Sequence, residues 1–226
     1  MKPASIAPEM KLFELIDIEP SLLSIFVRLG IRLPFGDVAI DEVCRREGYS
    51  VALLMELCRM HLDSDYRPSA DKMTEEMLPQ VITYLRASHR YYTHEILPHA
   101  AAHLDEILAT CDRLVASTLR RFYNDYVHCI EEHLEDEEQH LFAAIDSSTQ
   151  TSLAQFDDIV VPHADIDDRT NDIASLLVKC LPEATPTALR YAMLRDIYAL
   201  RDDLRRHSDV ELYMLRPMIL KFITRK

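Results

Sequence analysis

The amino-acid sequence predicts an all-α fold, an up-down-up-down four-helix bundle preceded by a small helical module. Three observations carry this. Only three glycines stand against eleven prolines in 226 residues, which favours long helices joined by few tight turns. Four stretches, roughly 73 to 110, 113 to 146, 152 to 181 and 186 to 223, repeat apolar residues at helical spacing. Ahead of them, residues 10 to 62 carry shorter apolar patterns broken by Pro20, Gly30, Pro34, Gly36 and Gly48, which read as short helices. The polar run DSDYRPSAD, Asp63 to Asp71, is a linker by composition, so the expected division is a module over 1–70 and a bundle over 73–226.

Each separator has its own signal. DSSTQT, Asp146 to Thr151, is a loop. LPEAT, Leu181 to Thr185, ends one helix and opens the next, with Thr185 expected as N-cap and Pro186 in the first turn. The break near Cys111 and Asp112 is weaker. Pro98, Pro162 and Pro217 fall inside the stretches, and a local kink or break is expected at each, because proline lacks the N–H that the helix needs.

Composition excludes several classes. A net charge of −13 disfavours nucleic acid and anionic membrane surfaces as partners, since either requires a basic face. Five cysteines, Cys44, Cys58, Cys111, Cys129 and Cys180, are an odd number without C-x-x-C spacing, so neither a disulfide framework nor a thiolate zinc site is indicated. A cytoplasmic location fits that usage. The start MKPASIAPEMK lacks an apolar signal region, and no apolar run reaches membrane-spanning length.

The informative features interrupt the apolar stripes. The second stretch runs Phe122, Tyr126, Cys129, His133, Glu137, Leu141, Ile145, and the fourth runs Met193, Ile197, Leu200, Leu204, His207, Glu211, Leu215, Met218. Each carries a His and a Glu four residues apart on its inward face, and a buried pair of that kind is costly unless something satisfies it. The first stripe, Val81, Leu85, His89, Tyr92, Ile96, and the third, Phe156, Val160, His163, Ile166, Ile173, Leu177, each add one inward histidine.

Spacing tests whether these residues meet. In alternating helices, two residues share a height when they lie equally far from the turn between them. The midpoints of His89–His133, His133–His163 and His163–His207 are Cys111, Ser148 and Thr185, each at a predicted turn. All four histidines are therefore expected at one level. A single inward histidine is more often a hydrogen-bonded core residue than a ligand; four at one level with two in-face glutamates reverse that balance. Four imidazoles and two carboxylates suit two metal ions held by nitrogen and oxygen, iron first and manganese or zinc next. His128 and Glu132 share the spacing but lie around the helix from His133, and are expected to be solvated. His61, His94 and His140 read as surface residues, His99 and His103 as the edge of the first stripe with ligation the lesser reading, Cys129 as a core thiol before a pocket-lining one, and Tyr92 as either a donor to a ligand or an ordinary core tyrosine.

The runs HLEDEEQHLF, His133 to Phe142, and HSDVELYMLRP, His207 to Pro217, resemble the hemerythrin-like (HHE) bundle, specifically the di-iron proteins for repair of iron centres. That resemblance implies His89, His133, Glu137, His163, His207 and Glu211 as ligands of two non-haem iron ions, with Glu137 and Glu211 bridging. Oxygen-carrying hemerythrins add a histidine one turn after the third-helix ligand, where this sequence has Asp167. The front segment SLLSIFVRLGIRLPFGDVAIDEVCRREG resembles the repair family's small module, but LGIRLPFGD replaces the stretch that carries two adjacent cysteines there. The implied function is a cytoplasmic protein of the oxidative and nitrosative stress response that supplies iron to damaged iron-sulfur clusters or reduces nitric oxide. The alternative is a binder or sensor of oxygen or nitric oxide. The implied partners are a small gas and iron-sulfur proteins, and a homodimer is compatible with the sequence.

Overall fold

Helix α3 (Ile40–Glu47) shows how the front of the chain is punctuated. Gly48 ends it at φ +77°, and Tyr49 N–H donates to the Cys44 carbonyl at 2.9 Å, a closure that needs the left-handed conformation glycine adopts at little cost. Before it lie α1 (Leu12–Ile18) and α2 (Leu23–Arg28), and after it α4 (Val51–Leu62), capped by the Ser50 hydroxyl accepting from Leu53 N–H. The computed structural model describes residues 6–146 and 163–222, with side chains in the second stretch from residue 166 onward. Among these residues the fold is an all-α helical bundle, and one isolated bridge joins Lys11 to Ala39.

The later helices are α5 (Leu78–Tyr91), α6 (Leu97–Leu108), α7 (Arg113–Asp136), α8 (Ala143–Asp146), α9 (His163–Lys179), α10 (Thr187–Val210) and α11 (Arg216–Phe222). Three π-helical turns join pairs of them: Tyr92–Ile96, Glu137–Phe142 and Glu211–Leu215. Two end two residues before a proline, Pro98 and Pro217. The expected kinks are thus absorbed as π turns, in which Leu97 N–H reaches the Tyr92 carbonyl and Arg216 N–H the Glu211 carbonyl. Pro162 lies outside the described residues.

The chain packs as two compact units, one of Met1–Ser88 with Arg206–Lys226, the other of His89–Arg205. In the second, four helical segments share one core, built from Leu97, Leu104 and Ile107, from Leu119, Tyr126 and Ile130, from Ile166, Ile173 and Leu177, and from Met193, Ile197 and Leu204. Asp112 caps α7 by accepting from Leu114 and Val115 N–H. The expected cap of α10 is off by one. Pro186 supplies the first accepting carbonyl, while the buried Thr185 hydroxyl contacts Thr110 Oγ1 at 2.7 Å. That bond joins the turn after α6 to the turn before α10.

In the first unit, Phe26, Leu22, Ile25, Leu53 and Leu54 are buried. The segment expected to be a plain linker is anchored. Buried Glu56 of α4 accepts from the Tyr66 hydroxyl at 2.5 Å and from Arg59 at 2.7 Å, and pairs with Lys72. Arg67 lies over the Tyr213 ring, 4.0 Å from its centroid, and Lys221 Nζ of α11 donates to the Ala70 and Met73 carbonyls. The polar linker is therefore fixed at both ends by charge-assisted hydrogen bonds, the stronger class of such contacts.

Candidate metal centre

Two of the π turns open on a glutamate. His133 occupies the last turn of α7 and Glu137 begins the π turn that follows; His207 occupies the last turn of α10 and Glu211 begins the next. Each His-x-x-x-Glu pair thus straddles a switch from α to π winding, a distortion often found at functional sites. His89 lies three residues before the remaining π turn.

Within His89–Arg205, three side chains converge. Glu137 is fully buried, turning Oε2 to His89 Nε2 at 3.0 Å and Oε1 to His133 Nε2 at 2.8 Å. One carboxylate therefore faces an imidazole with each oxygen. The second nitrogen of His89, Nδ1, lies 2.9 Å from Glu138 Oε1, and its ring stacks on Phe142 with centroids 5.5 Å apart. Within the other unit, His207 Nε2 lies 3.2 Å from Glu211 Oε1, both side chains fully buried. The backbone of His163 begins α9, but its side chain lies outside the described residues.

These separations suit a cation. Nitrogen and oxygen ligands bound at about 2.1 Å and at right angles to one another stand about 3.0 Å apart. The three observed pairs, 2.8, 3.0 and 3.2 Å, bracket that value. A hydrogen bond has the same length, so burial decides between the two: a carboxylate withdrawn from water is expensive unless positive charge accompanies it. The pairing of His89 with Glu138 is the arrangement by which a carboxylate orients a ligating imidazole through its other nitrogen.

The family model of the hemerythrin HHE cation-binding domain matches residues 80–219. The chain belongs to this family. No curated protein matches the chain. The match spans the hemerythrin domain from α5 to α11, and the donor set of buried imidazoles and carboxylates fits the cation site that the family's description names. No helix among the described residues is long and apolar enough to cross a membrane.

The other sequence candidates fall elsewhere. His128 and Glu132 form an exposed pair at 3.2 Å, as expected of a solvated one. His94 and His140 are exposed. His61 is half-buried and contacts the Ser21 hydroxyl at 2.6 Å. Tyr92 is buried in the core and donates to the Asp203 carbonyl. Cys129 packs half-buried against the core. Asp167 pairs with Arg205 at 2.9 Å. Glu138 and Phe142 escaped the sequence reading, because α-helical spacing turns neither of them toward the stripe of His133 and Glu137.

Proposed function

We propose that the chain binds two non-haem iron ions through His89, His133, Glu137, His163, His207 and Glu211, with Glu137 and Glu211 bridging. The observation that carries this reading is Glu137, a fully buried carboxylate with one oxygen against each of two imidazoles. Its counterpart, the buried His207 and Glu211, repeats the motif on the fourth helix, and the 44, 30, 44 spacing of the histidines puts the four at one height in alternating helices.

The reading places the protein in the response to oxidative and nitrosative stress, supplying iron for damaged iron-sulfur clusters or reducing nitric oxide. Bound iron with imidazole and carboxylate ligands would supply one-electron chemistry and open positions for a small gas. The front module adds no thiol route. It holds Cys44 and Cys58, both buried, with burial pushing their thiols up to about 11 and about 12. Iron delivery therefore depends on the bundle's own ligands.

Iron content and visible absorption in air test the metal, with about two irons per chain expected from the six-ligand set. Anaerobic addition of nitric oxide with a chemical reductant kept in excess then separates the roles. Repeated consumption with release of nitrous oxide supports reduction, whereas transfer of iron to an apo iron-sulfur protein without such turnover supports supply. Protein that holds neither iron nor any gas adduct sinks the proposal. Glu138→Gln, which keeps the shape but removes the charge beside His89 Nδ1, is expected to weaken iron binding about 10-fold or more. Unchanged affinity in a competitive chelator titration would count against the orienting role of Glu138.

A further inference from the structure

Away from these ligands, His99, His103 and Asp196 meet within His89–Arg205. The two histidines stand four residues apart on α6, on one side of the helix, with ring centroids 4.5 Å apart. Asp196 comes from α10. Its Oδ2 lies 2.6 Å from His103 Nδ1 and 3.7 Å from His99 Nε2, while Oδ1 faces Arg195 at 3.5 Å. One donor atom from each of the three lies within 4.8 Å of the other two.

We propose that these three residues form a second cation site, separate from the buried ligands, that takes one zinc(II) or a similar divalent ion with imidazole preference. An ion pair needs one imidazole per carboxylate, but here two ring nitrogens face one carboxylate oxygen. Two imidazoles at i, i+4 with a third ligand from another helix are the donors of a three-ligand zinc site, in which water completes the tetrahedron. Imidazole donors select zinc, copper, nickel or cobalt over magnesium and calcium.

The distances allow it. Ligand atoms at the corners of a tetrahedron with bonds of about 2.05 Å stand about 3.3 Å apart. The His99 to Asp196 separation is already within a few tenths of an ångström of that, and the shorter His103 contact opens by a small rotation of the ring. Access follows from burial: the side chain of His99 is 59% exposed, that of His103 20% and that of Asp196 10%. An ion arriving from solvent thus meets the exposed His99 ring first and the largely buried Asp196 carboxylate last. The core against which α6 and α10 pack, with Leu97, Ala100, Leu104 and Ile197 buried, fixes the two helices that present the ligands.

Calorimetric titration of zinc(II) into the full-length, iron-loaded protein tests the site, read as the difference between wild type and variants. Wild type is expected to take up one zinc more than His99→Ala, and Asp196→Asn to bind that zinc at least about 10-fold more weakly. Iron content should be equal in all three, and His128→Ala, which alters the exposed pair on α7, should match wild type. Equal zinc uptake by wild type and His99→Ala overturns the proposal, and because His99 is exposed its removal leaves the fold intact. Copper(II) gives an independent reading. Its spin-resonance spectrum should carry hyperfine structure from two imidazole nitrogens, lost in His99→Ala; a spectrum unchanged by that substitution overturns the site as well.

Discussion

Replacing Glu137 and Glu211 together by alanine is expected to lower iron from about two per chain to about none, because in the proposed centre each carboxylate bridges and so contributes to both ions. Both side chains are fully buried. The effect should be specific to these carboxylates. Glu132→Ala removes a glutamate with the same i, i+4 relation to a histidine, but one that is 66% exposed, and should leave iron content at the wild-type value. A folding control separates loss of the ligands from loss of the fold, because Glu137 and Glu211 each sit against a buried imidazole and truncating one partner of such a pair has its own cost. The expected result is a double variant that keeps its helical circular dichroism while elemental analysis reports no iron. Two metals retained by a folded double variant would refute the assignment of the bridging ligands.

Much of this architecture was legible because helical burial is periodic, and the places where the period fails are physical. All eight residues of the fourth stripe, Met193 through Met218, are buried where that stripe puts them. In α7 the stripe is rotated slightly: Tyr123 and Ile130 are buried, while Phe122 and Cys129 sit at the edge. At the first π turn the register slips by one residue, so Leu97 is buried where strict spacing puts Ile96. Proline announced two of the π turns. Nothing in the sequence announced Glu137–Phe142, where no proline follows, and that turn brings Phe142 against His89. Partners chosen by tertiary packing were equally silent: Asp167 with Arg205, Glu56 with Tyr66, Thr185 with Thr110. Residue type gives a side chain's chemistry, but which partner it meets depends on how segments far apart in the chain dock.

Stripping the iron should lower the unfolding temperature by about 8–16 °C, the largest stability change expected of this chain. A ligand present at about 1,000 times its dissociation constant, and bound only by the folded state, adds about 4 kcal/mol. A chain of this size shifts by about 2–4 °C per kcal/mol. The sign follows from the site. Glu137 and Glu211 place carboxylates where water does not reach, and cations offset a desolvation cost that the metal-free fold must bear unaided. The effect should be confined to chains that can bind metal, so iron should raise the unfolding temperature of wild type and leave that of the Glu137→Ala, Glu211→Ala variant unchanged, a coupling that separate contributions to stability cannot produce. Equal unfolding temperatures for iron-loaded and stripped wild type, by scanning calorimetry at one protein concentration, would contradict it. Amide exchange locates the loss. The turns Glu137–Phe142 and Glu211–Leu215 open on the proposed ligands and already depart from α winding, so without metal their N–H groups should exchange sooner than those of the Ile197 to Leu204 segment, whose buried side chains belong to the apolar core.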